Sequence, residues 1–253
     1  MRVVSGRSVY IGCAGWSLPS ASGSLFDAGD SMLARYATRF NAVEINSSFH
    51  RPHRRDTYLR WAASVPVGFR FSVKLPRAIT HDARLRGTAP VLDRFAGEVD
   101  CLGRKLAMLL VQLPPSLALE PRTAATFFAM LRRRFNVGIA CEARHASWFT
   151  PRADELWQRH AIARVAADPP VPEGASREPG GDTRVRYWRW HGAPRVYYSA
   201  YDDDALRSLA GAMRSARGTR WAIFDNTAHG HAVTDAARLQ AMTKATSTRR
   251  TSA

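Results

Sequence analysis

Short apolar runs alternate with amphipathic segments along almost the whole chain, and this alternation is the feature that most limits its fold. The runs have the length and composition of strands, whereas the segments between them carry apolar residues at helical spacing. Strands are predicted at Val9–Cys13, Ala42–Asn46, Arg70–Lys74, Ala107–Leu113, Val137–Glu142, Ala161–Ala166, Val185–His191 and Trp221–Asp225. Helices are predicted at Asp30–Phe40, Arg55–Ser64, Pro90–Leu102, Pro121–Phe135, Arg152–His160, Asp202–Ala216 and Thr234–Lys244.

Strands that alternate with helices form parallel βαβ units. Eight such strands in 253 residues favour a single (β/α)8 TIM-like barrel over an open doubly wound sheet, because α/β barrels of about 250 residues are commonly one domain. We predict one barrel domain over residues 1–245 and a disordered basic tail over residues 246–253. The segment Pro169–Thr183 is rich in Pro and Gly and lacks periodicity, so a loop should replace or shorten the helix after strand six.

Polar residues occur near the C-terminal ends of the predicted strands. In the second strand, Val43 and Ile45 share one face, whereas Glu44 and Asn46 share the other. The C-terminal ends of barrel strands meet at one mouth, which is where barrel enzymes have their active sites. The residues expected to meet there are Glu44, Asn46, Lys74, Gln112, Glu142, Arg189 and His191.

The turns after the strands add further side chains that bind ligands, and together they suggest acid–base or hydrolytic chemistry on a small anionic, sugar- or nucleotide-like substrate. The predicted catalytic residues are Glu44, Lys74, Glu142 and His191, with the two carboxylates as general acid and base. The predicted substrate-binding residues are Trp16, Asn46, Arg51, Arg77, His81, Gln112, Arg144, His145, Trp148, Arg189 and Asn226. The structural alternative is that Glu44–Lys74 and Glu142–Arg189 are salt bridges that close the end of the barrel.

A series of ordered motifs carries a family resemblance. They are Gly12–Trp16, Val43–Phe49, Phe71–Lys74 with Pro76-Arg77 and Thr80-His81, Gln112–Pro115, Glu142–His145 with Ser147–Phe149, Arg189 with His191-Gly192, and Asn226-Thr227 with Gly230 and Ala232. From Val9 to Met242 the chain closely resembles the YecE-like family, a bacterial and archaeal domain of unknown function. The resemblance implies a TIM-barrel-like fold and supplies no reaction. His50 stands where this family usually has tyrosine, and Asp225 stands where asparagine is common.

The charge of the chain bears on its partners. The formal net charge is +16, and only Lys74, Lys105 and Lys244 among the 37 basic residues are lysine. A basic chain attracts anions, nucleic acid above all, although an arginine- and alanine-rich composition also follows from GC-rich codon usage. Two alternatives to an enzyme therefore stay open. One is a nucleic-acid-binding protein that uses the arginine- and aromatic-lined mouth, and the other is a non-catalytic ligand-binding scaffold.

Other classes lack their sequence signatures. There is no P-loop, no GxGxxG after a strand, no GxSxG turn and no HExxH spacing, so we predict no cofactor and no metal, with a divalent ion left open. No apolar run has the length of a membrane span. Met1–Ser8 lacks the apolar region of a secretory signal, and three scattered cysteines fit a reducing compartment. We therefore expect a cytoplasmic protein without a membrane partner.

Overall fold

The computed structural model describes residues 8–245. The strands are β1 (Val9–Cys13), β2 (Ala42–Ile45), β3 (Arg70–Lys74), β4 (Leu106–Gln112), β5 (Gly138–Glu142), β6 (Ala163–Arg164), β7 (Ala166–Asp168), β8 (Gly180–Gly181), β9 (Val185–Trp190) and β10 (Thr219–Phe224). The α-helices are α1 (Met32–Arg39), α2 (Arg55–Ala63), α3 (Ala89–Val99), α4 (Pro121–Arg134), α5 (Pro151–Arg159), α6 (Asp203–Ser215) and α7 (His231–Ala245). The predicted tail over residues 246–253 lies outside them.

Local chemistry explains several boundaries. Helix α6 begins after Asp202, whose side chain accepts a hydrogen bond from the backbone N–H of Ala205 at 2.8 Å, as a helix N-cap should. The sixth predicted strand starts later than expected, because Ala161 has a φ of 54° and cannot continue an extended strand. As expected, residues 169–184 contain no helix, and only β8 interrupts this loop. No helix within residues 8–245 has both the length and the apolar character needed to cross a bilayer.

The strands form two sheets in which all pairs are parallel except β6–β8. One sheet has the order β2-β3-β4-β5-β6-β8, and the other has the order β1-β10-β9-β7. The fold is therefore α/β and rich in parallel strands, as predicted. The predicted closed barrel differs from this arrangement, because the strands are not joined into one continuous hydrogen-bonded sheet.

Side chains replace backbone pairing where β1 lies beside β2. The carboxamide of Asn41 bonds to the backbone of two β1 residues, at 3.1 and 2.7 Å. The hydroxyl of Tyr36 accepts from the N–H of Cys13 at 2.8 Å and donates to the carbonyl of Ala42 at 3.0 Å. Gly12 permits this close approach, because a Cβ at that position would lie 2.0 Å from the carbonyl oxygen of Ala42. These contacts explain why β1 and β2 belong to different sheets although they are neighbours.

Direct contacts also connect the two sheets at both of their junctions. Ala14 and Glu44 form a parallel bridge beyond the ends of the β1–β2 contacts, and the N–H of Gly15 donates to the carbonyl of Glu44 at 2.9 Å. At the other junction, β6 and β7 are consecutive pieces of one chain segment, separated by Val165. The N–H of Val165 donates to the carbonyl of Cys141 in β5 at 2.9 Å, while β7 pairs with β9.

Each sheet buries both of its faces. A large core includes Val43 and Ile45 together with residues from the helices, such as Phe127 and Phe128 of α4. A second, smaller core draws on both sheets and, among the described residues, on no helix: Ala42, Met108, Leu110, Ala140, Ala163, Val165, Tyr187, Trp221 and Ile223. Alternation along β2 therefore directs Glu44 towards the smaller core, on the face that we call the enclosed face.

Candidate functional site

Arg189 lies at the centre of a cluster of charged side chains on the enclosed face. Its guanidinium is fully buried and contacts three carboxylates. It donates to Glu44 at 2.8 Å from Nη2 and 3.1 Å from Nε, to Glu142 at 3.0 Å from Nη1, and it lies 2.9 Å from Asp225. Because arginine stays protonated in proteins, this one cation compensates part of the negative charge of all three groups.

The sequence of β9 explains why Arg189 points inward. Trp188 packs in the large core, so its neighbours Tyr187 and Arg189 face the other way. The hydroxyl of Tyr187 donates to Glu44 Oε2 at 2.9 Å and accepts from the hydroxyl of Ser72, 3.0 Å away. Tyr187 was not among the predicted site residues, although the alternation that selected Arg189 and His191 also includes it.

Glu142 is held by a second set of donors. Gln112 Nε2 donates to it at 3.0 Å, Arg144 contacts it at 2.7 Å from Nε and 2.6 Å from Nη2, and His191 Nε2 lies 3.3 Å away. Burial alone would raise the pKa of the Glu142 carboxyl, but Arg144, His191 and Arg189 hold it well below its usual range. Glu142 is therefore an ionised hydrogen-bond acceptor at neutral pH.

His191 is placed between two carboxylates. Its Nδ1 lies 3.0 Å from Asp225 Oδ2, and its Nε2 faces Glu142. Burial opposes protonation, but Glu142 and Asp225 raise the pKa of His191 above its usual range. Asp225 was missed as a site residue. It ends the eighth predicted strand, two positions after Ile223 of the smaller core, so the period of two could have revealed it.

Lys74, the last residue of β3, is the exception in this cluster. Its side chain is buried, at 6% residue exposure, and no carboxylate among residues 8–245 lies within ion-pairing distance of its ammonium. The Nζ atom lies 4.0 Å from the centre of the Phe49 ring. Burial and the charge of Arg189 lower the pKa of Lys74 to about 8. The predicted pair Glu142–Arg189 is present. The predicted pair Glu44–Lys74 is absent, because the carboxylate of Glu44 accepts hydrogen bonds from Arg189 and Tyr187 instead.

Two predicted binding residues lie beside this cluster. The ring of His81 meets Phe49 at 5.0 Å, edge to face, and burial together with the charge of Lys74 lowers the pKa of His81. Asn46 directly follows β2 and is half-buried. Its side-chain oxygen is buried without a hydrogen-bond partner among the described residues. Since buried polar atoms are almost always hydrogen-bonded, this oxygen is a free acceptor near the end of β2.

Tyr197 is a neighbour of the site that the sequence did not indicate. Its backbone has a φ of 70°, which is unusual for a bulky residue, and its N–H donates to the carbonyl of His191 at 2.5 Å. The ring packs edge to face on the imidazole of His191, with centres 5.8 Å apart, and remains 40% exposed. The loop after β9 thus positions a phenol between His191 and solvent.

Two predicted binding residues serve the scaffold instead. Trp148 is only 1% exposed, stacks on Trp157 with ring centres 5.0 Å apart, and donates from its indole N–H to the carbonyl of Leu117 at 2.8 Å. It therefore cannot cover a substrate, and that prediction is wrong. His145 accepts from the N–H of Ser147 at 3.2 Å and caps the short 3-10 helix that contains Trp148.

Asn226 and Trp16 also make structural contacts. The amide of Asn226 donates to the carbonyl of Ser199 at 2.9 Å and to Asp235 of α7 at 2.8 Å, so it joins the end of β10 to a helix. Trp16 is half-buried and meets Trp61 of α2 edge to face, with ring centres 5.0 Å apart. Tertiary partners that are distant in sequence explain both orientations.

Arg51 and Arg77 line a separate groove of about 310 Å³ between the turns after β2 and β3 and helix α3. Arg77 is largely exposed and pairs with Asp82 at 3.1 Å. The structure therefore brings together Glu44, Lys74, Gln112, Glu142, Arg144, Arg189 and His191, with Asn46 and His81 alongside, and leaves the other predicted residues elsewhere.

The cluster contains carboxylate and imidazole groups, which metals use as ligands. Their negative charge is already matched by arginine side chains. Within residues 8–245, no group of three or more His, Cys, Asp or Glu side chains is placed to hold a metal ion. Arg189 contacts all three carboxylates and Arg144 contacts Glu142, so cationic side chains already take the positions where a metal cation would have to bind. The absence of a metal and of a cofactor remains a prediction.

The family of the chain follows from comparison with known proteins. The family described as "Protein of unknown function DUF72" matches residues 10–253. The chain belongs to the DUF72 family. It is 30% identical over 148 residues to the UPF0759 protein YecE of Escherichia coli K12, covering 58% of this chain and 52% of YecE. It is 27% identical over 180 residues to the UPF0759 protein YunF of Bacillus subtilis, covering 66% of this chain and 63% of YunF. The chain thus spans between half and two thirds of these relatives, and the YecE-like resemblance is confirmed.

Solved DUF72 structures share the fold. A DUF72 family protein of Thermotoga maritima superposes with a TM-score of 0.79 at 23% identity, covering 94% of this chain and 99% of that chain. A DUF72 family protein of Enterococcus faecalis gives a TM-score of 0.77 at 20% identity, covering 93% and 95%. At these identities the likeness establishes the α/β fold and leaves the chemistry to the residues of this chain.

Proposed function

We propose that this DUF72 protein is an enzyme that performs acid–base chemistry on a small anionic, sugar- or nucleotide-like substrate, with Lys74 and His191 as the groups that transfer protons. One observation carries the proposal. Arg189, Arg144 and the three carboxylates of the cluster all have counter-ions, whereas the ammonium of Lys74, a residue only 6% exposed, has none among residues 8–245. An unpaired buried charge is costly, and an anionic substrate would supply the missing partner.

We take the two sheets as the two parts of a closed (β/α)8 TIM-like barrel. The side chains of Tyr36 and Asn41 bridge β1 and β2, the chain is continuous through Val165, and one small core is common to both sheets. In such a barrel the C-terminal ends of the strands hold the active site. Lys74 ends β3 and Glu142 ends β5, which supports a site at this end.

The two glutamates have roles other than the acid and base expected from the sequence. Glu44 and Glu142 both bond to Arg189, so we assign them to positioning Arg189 and His191 and not to acid and base. His191, held by Glu142 and by Asp225, is the general acid, because its raised pKa increases the protonated fraction of the imidazole at neutral pH. Lys74 binds the anion or accepts a proton.

The charges of the groove that Arg51 and Arg77 line favour a small ligand over a polyanion. Its charged residues are Arg51, Arg77, Arg94, Asp82 and Glu98. Two of these arginines already pair with the two acids, Arg77 with Asp82 at 3.1 Å and Arg94 with Glu98 at 2.9 Å. A surface that binds nucleic acid usually presents unpaired basic residues along one face, so the basic composition alone does not support this alternative.

Thermal unfolding with a panel of anions tests the proposal. The full chain is heated with inorganic phosphate, ribose phosphate, adenosine monophosphate and pyruvate, and the same panel is applied to Lys74→Met and to the exposed-site control Lys244→Met. We expect at least one anion to raise the Tm of the wild type and the control but not of Lys74→Met, since a ligand stabilises the state that binds it. Equal shifts in all three proteins, or none in any, would contradict the proposal.

Conversion of the stabilising anion separates an enzyme from a scaffold. The compound is incubated with the wild type and with His191→Gln, and its consumption is followed by mass spectrometry. We expect the wild type to convert it and His191→Gln to bind it with little conversion, because a positioned acid contributes about 10²–10⁴-fold to rate. Binding without conversion by the wild type would instead support the non-catalytic scaffold.

A further inference from the structure

We infer that Lys74 is a nucleophile that forms an imine with a small aldehyde or ketone carrying a phosphate or carboxylate group. This inference rests on the proposed function, since it assigns a substrate class to the same site. It requires that the amine lose its proton readily within reach of a substrate. The surroundings of the three lysines show how Lys74 differs from the others.

The surroundings of the other two lysines differ from those of Lys74. Lys105 donates to the carbonyls of Ala62 and Val65 at 2.6 and 2.5 Å, so its ammonium is held by two acceptors. Lys244 is exposed near the end of α7. Lys74 alone combines burial with an Nζ atom that no described carboxylate or carbonyl accepts from. Glu44, Glu142 and Asp225 favour the proton on this nitrogen, but burial and Arg189 outweigh them and lower the pKa of Lys74 to about 8.

The position of Lys74 is fixed by the turn after β2. The hydroxyl of Ser48 lies 2.7 Å from the carbonyl oxygen of Lys74 and 3.0 Å from that of Ile45, so it connects the ends of β2 and β3. Phe49, the next residue, places its ring 4.0 Å from Nζ. A nucleophile needs such a defined position, because the reacting atoms must approach at a fixed distance and angle.

The charges of the cluster balance with one mobile proton. Glu44, Glu142 and Asp225 contribute three negative charges, and Arg189 and Arg144 contribute two positive charges. One more proton makes the cluster neutral, and it can reside on Lys74 or on His191. When the proton is on His191, between Glu142 and Asp225, Lys74 is a free amine and the cluster remains neutral. The raised pKa of His191 and the lowered pKa of Lys74 both favour this distribution.

The imine step then balances within the site. The lone pair of Nζ attacks the carbonyl carbon, a C–N bond forms, and the carbonyl oxygen takes the proton that the nitrogen releases. The imidazolium of His191 protonates the resulting hydroxyl, the C–O bond breaks, and water leaves. The products are a protonated imine on Lys74, neutral His191 and one water, so one positive charge has moved from the histidine to the lysine.

The anionic group of the substrate has a binding partner at the same site. Arg144 uses Nε and Nη2 for Glu142, and its Nη1 donates to no acceptor in the described part of the chain. Its side chain is 21% exposed, so Nη1 is available to a phosphate or carboxylate. The protonated imine accepts an electron pair, which suits reactions that break a C–C or C–H bond next to the former carbonyl carbon.

Reductive trapping tests the inference in the wild-type protein. The full chain is treated with glyceraldehyde phosphate and sodium cyanoborohydride at neutral pH, and labelling of the three lysines is quantified by peptide mass spectrometry. We expect Lys74 to be labelled at least about tenfold faster than Lys244, because a lower amine pKa exposes more free base at neutral pH. Glyceraldehyde without the phosphate should label Lys74 about tenfold more slowly, since Arg144 then has no anion to bind.

The outcomes separate this inference from the proposed function. If Lys74 reacts no faster than Lys244, the imine is refuted, and the comparison requires no variant to fold. If inorganic phosphate still raises the Tm of the wild type and not of Lys74→Met, the proposed anion site survives that refutation. If neither result appears, both fail. His191→Gln should slow trapping at Lys74 several-fold, and an unchanged trapping rate would remove histidine from the step.

Discussion

Replacement of Lys74 by methionine should stabilise the folded protein at neutral pH. In the fold, burial and Arg189 hold the pKa of Lys74 at about 8, whereas lysine in an unfolded chain has a pKa of about 10.4. Each pKa unit corresponds to about 1.4 kcal/mol, so folding with the charged amine costs about 3 kcal/mol. Methionine has a similar length and no charge, and it removes this cost while filling the same space.

The effect has a defined dependence on pH. Between about pH 8 and pH 10.4 the unfolded chain keeps the proton on Lys74 while the folded protein releases it. The unfolded state then binds more protons, so the free energy of unfolding of the wild type rises with pH. The advantage of Lys74→Met should therefore be largest below pH 8 and decline towards zero near the pKa of the unfolded chain.

Urea unfolding at several pH values between 7 and 10 measures the difference. Lys105→Met is the matched control, because it leaves the carbonyls of Ala62 and Val65 without a donor and should lower stability by about 1–3 kcal/mol. If Lys74→Met were less stable than the wild type at pH 7, or if its advantage did not change with pH, Lys74 would not be the unpaired buried cation on which the proposed function depends.

Three further predictions concern the rest of the cluster. Arg189→Met should lower the free energy of unfolding by about 3–5 kcal/mol, because it leaves the carboxylates of Glu44, Glu142 and Asp225 facing one another. A loss below about 1 kcal/mol in urea unfolding would show that other groups compensate for the missing charge. His191→Asn should cost most stability below about pH 6.5. The raised pKa of His191 contributes stability there, and this contribution disappears as the pH rises through the folded-state pKa. A difference in the free energy of unfolding between variant and wild type that stays constant from pH 6 to pH 9 would contradict this. Binding to a labelled DNA strand should fall steeply with salt and should persist in Glu44→Gln and Glu142→Gln. Binding that resists salt and is abolished by these changes would instead show that nucleic acid binds at the site.

The alternation of side chains predicted much of the fold and the centre of the site. Every observed α-helix corresponds to a predicted one with only small shifts at its ends, and β1 and β3 have the predicted bounds. A period of two is a local property of strands, so it also selected Glu44, Glu142, Arg189 and His191 for one face. The division into two sheets could not be predicted in this way, because it depends on contacts from Tyr36 and Asn41 that replace backbone pairing.

Residues in turns were harder to predict than residues in strands. Trp148 and Asn226 follow their strands as a binding residue would, yet they turn towards Leu117 and Asp235. A turn has no fixed side-chain period, so its orientation depends on partners elsewhere in the sequence. The ion pairs could not be predicted from composition either. A count of acidic and basic residues does not show that Glu44, the expected partner of Lys74, pairs with Arg189 instead.

The pairing of Arg189 distinguishes a structural cluster from a functional one. If the cluster served only to close the end of the fold, the most stable arrangement would pair each base with an acid, or replace Lys74 by an apolar residue of similar volume. Instead Arg189 engages Glu44, Glu142 and Asp225 together, and Lys74 remains buried without a counter-ion. A side chain that costs stability in this way is consistent with a function that requires its free amine, and the stability of Lys74→Met therefore bears directly on whether the site is catalytic.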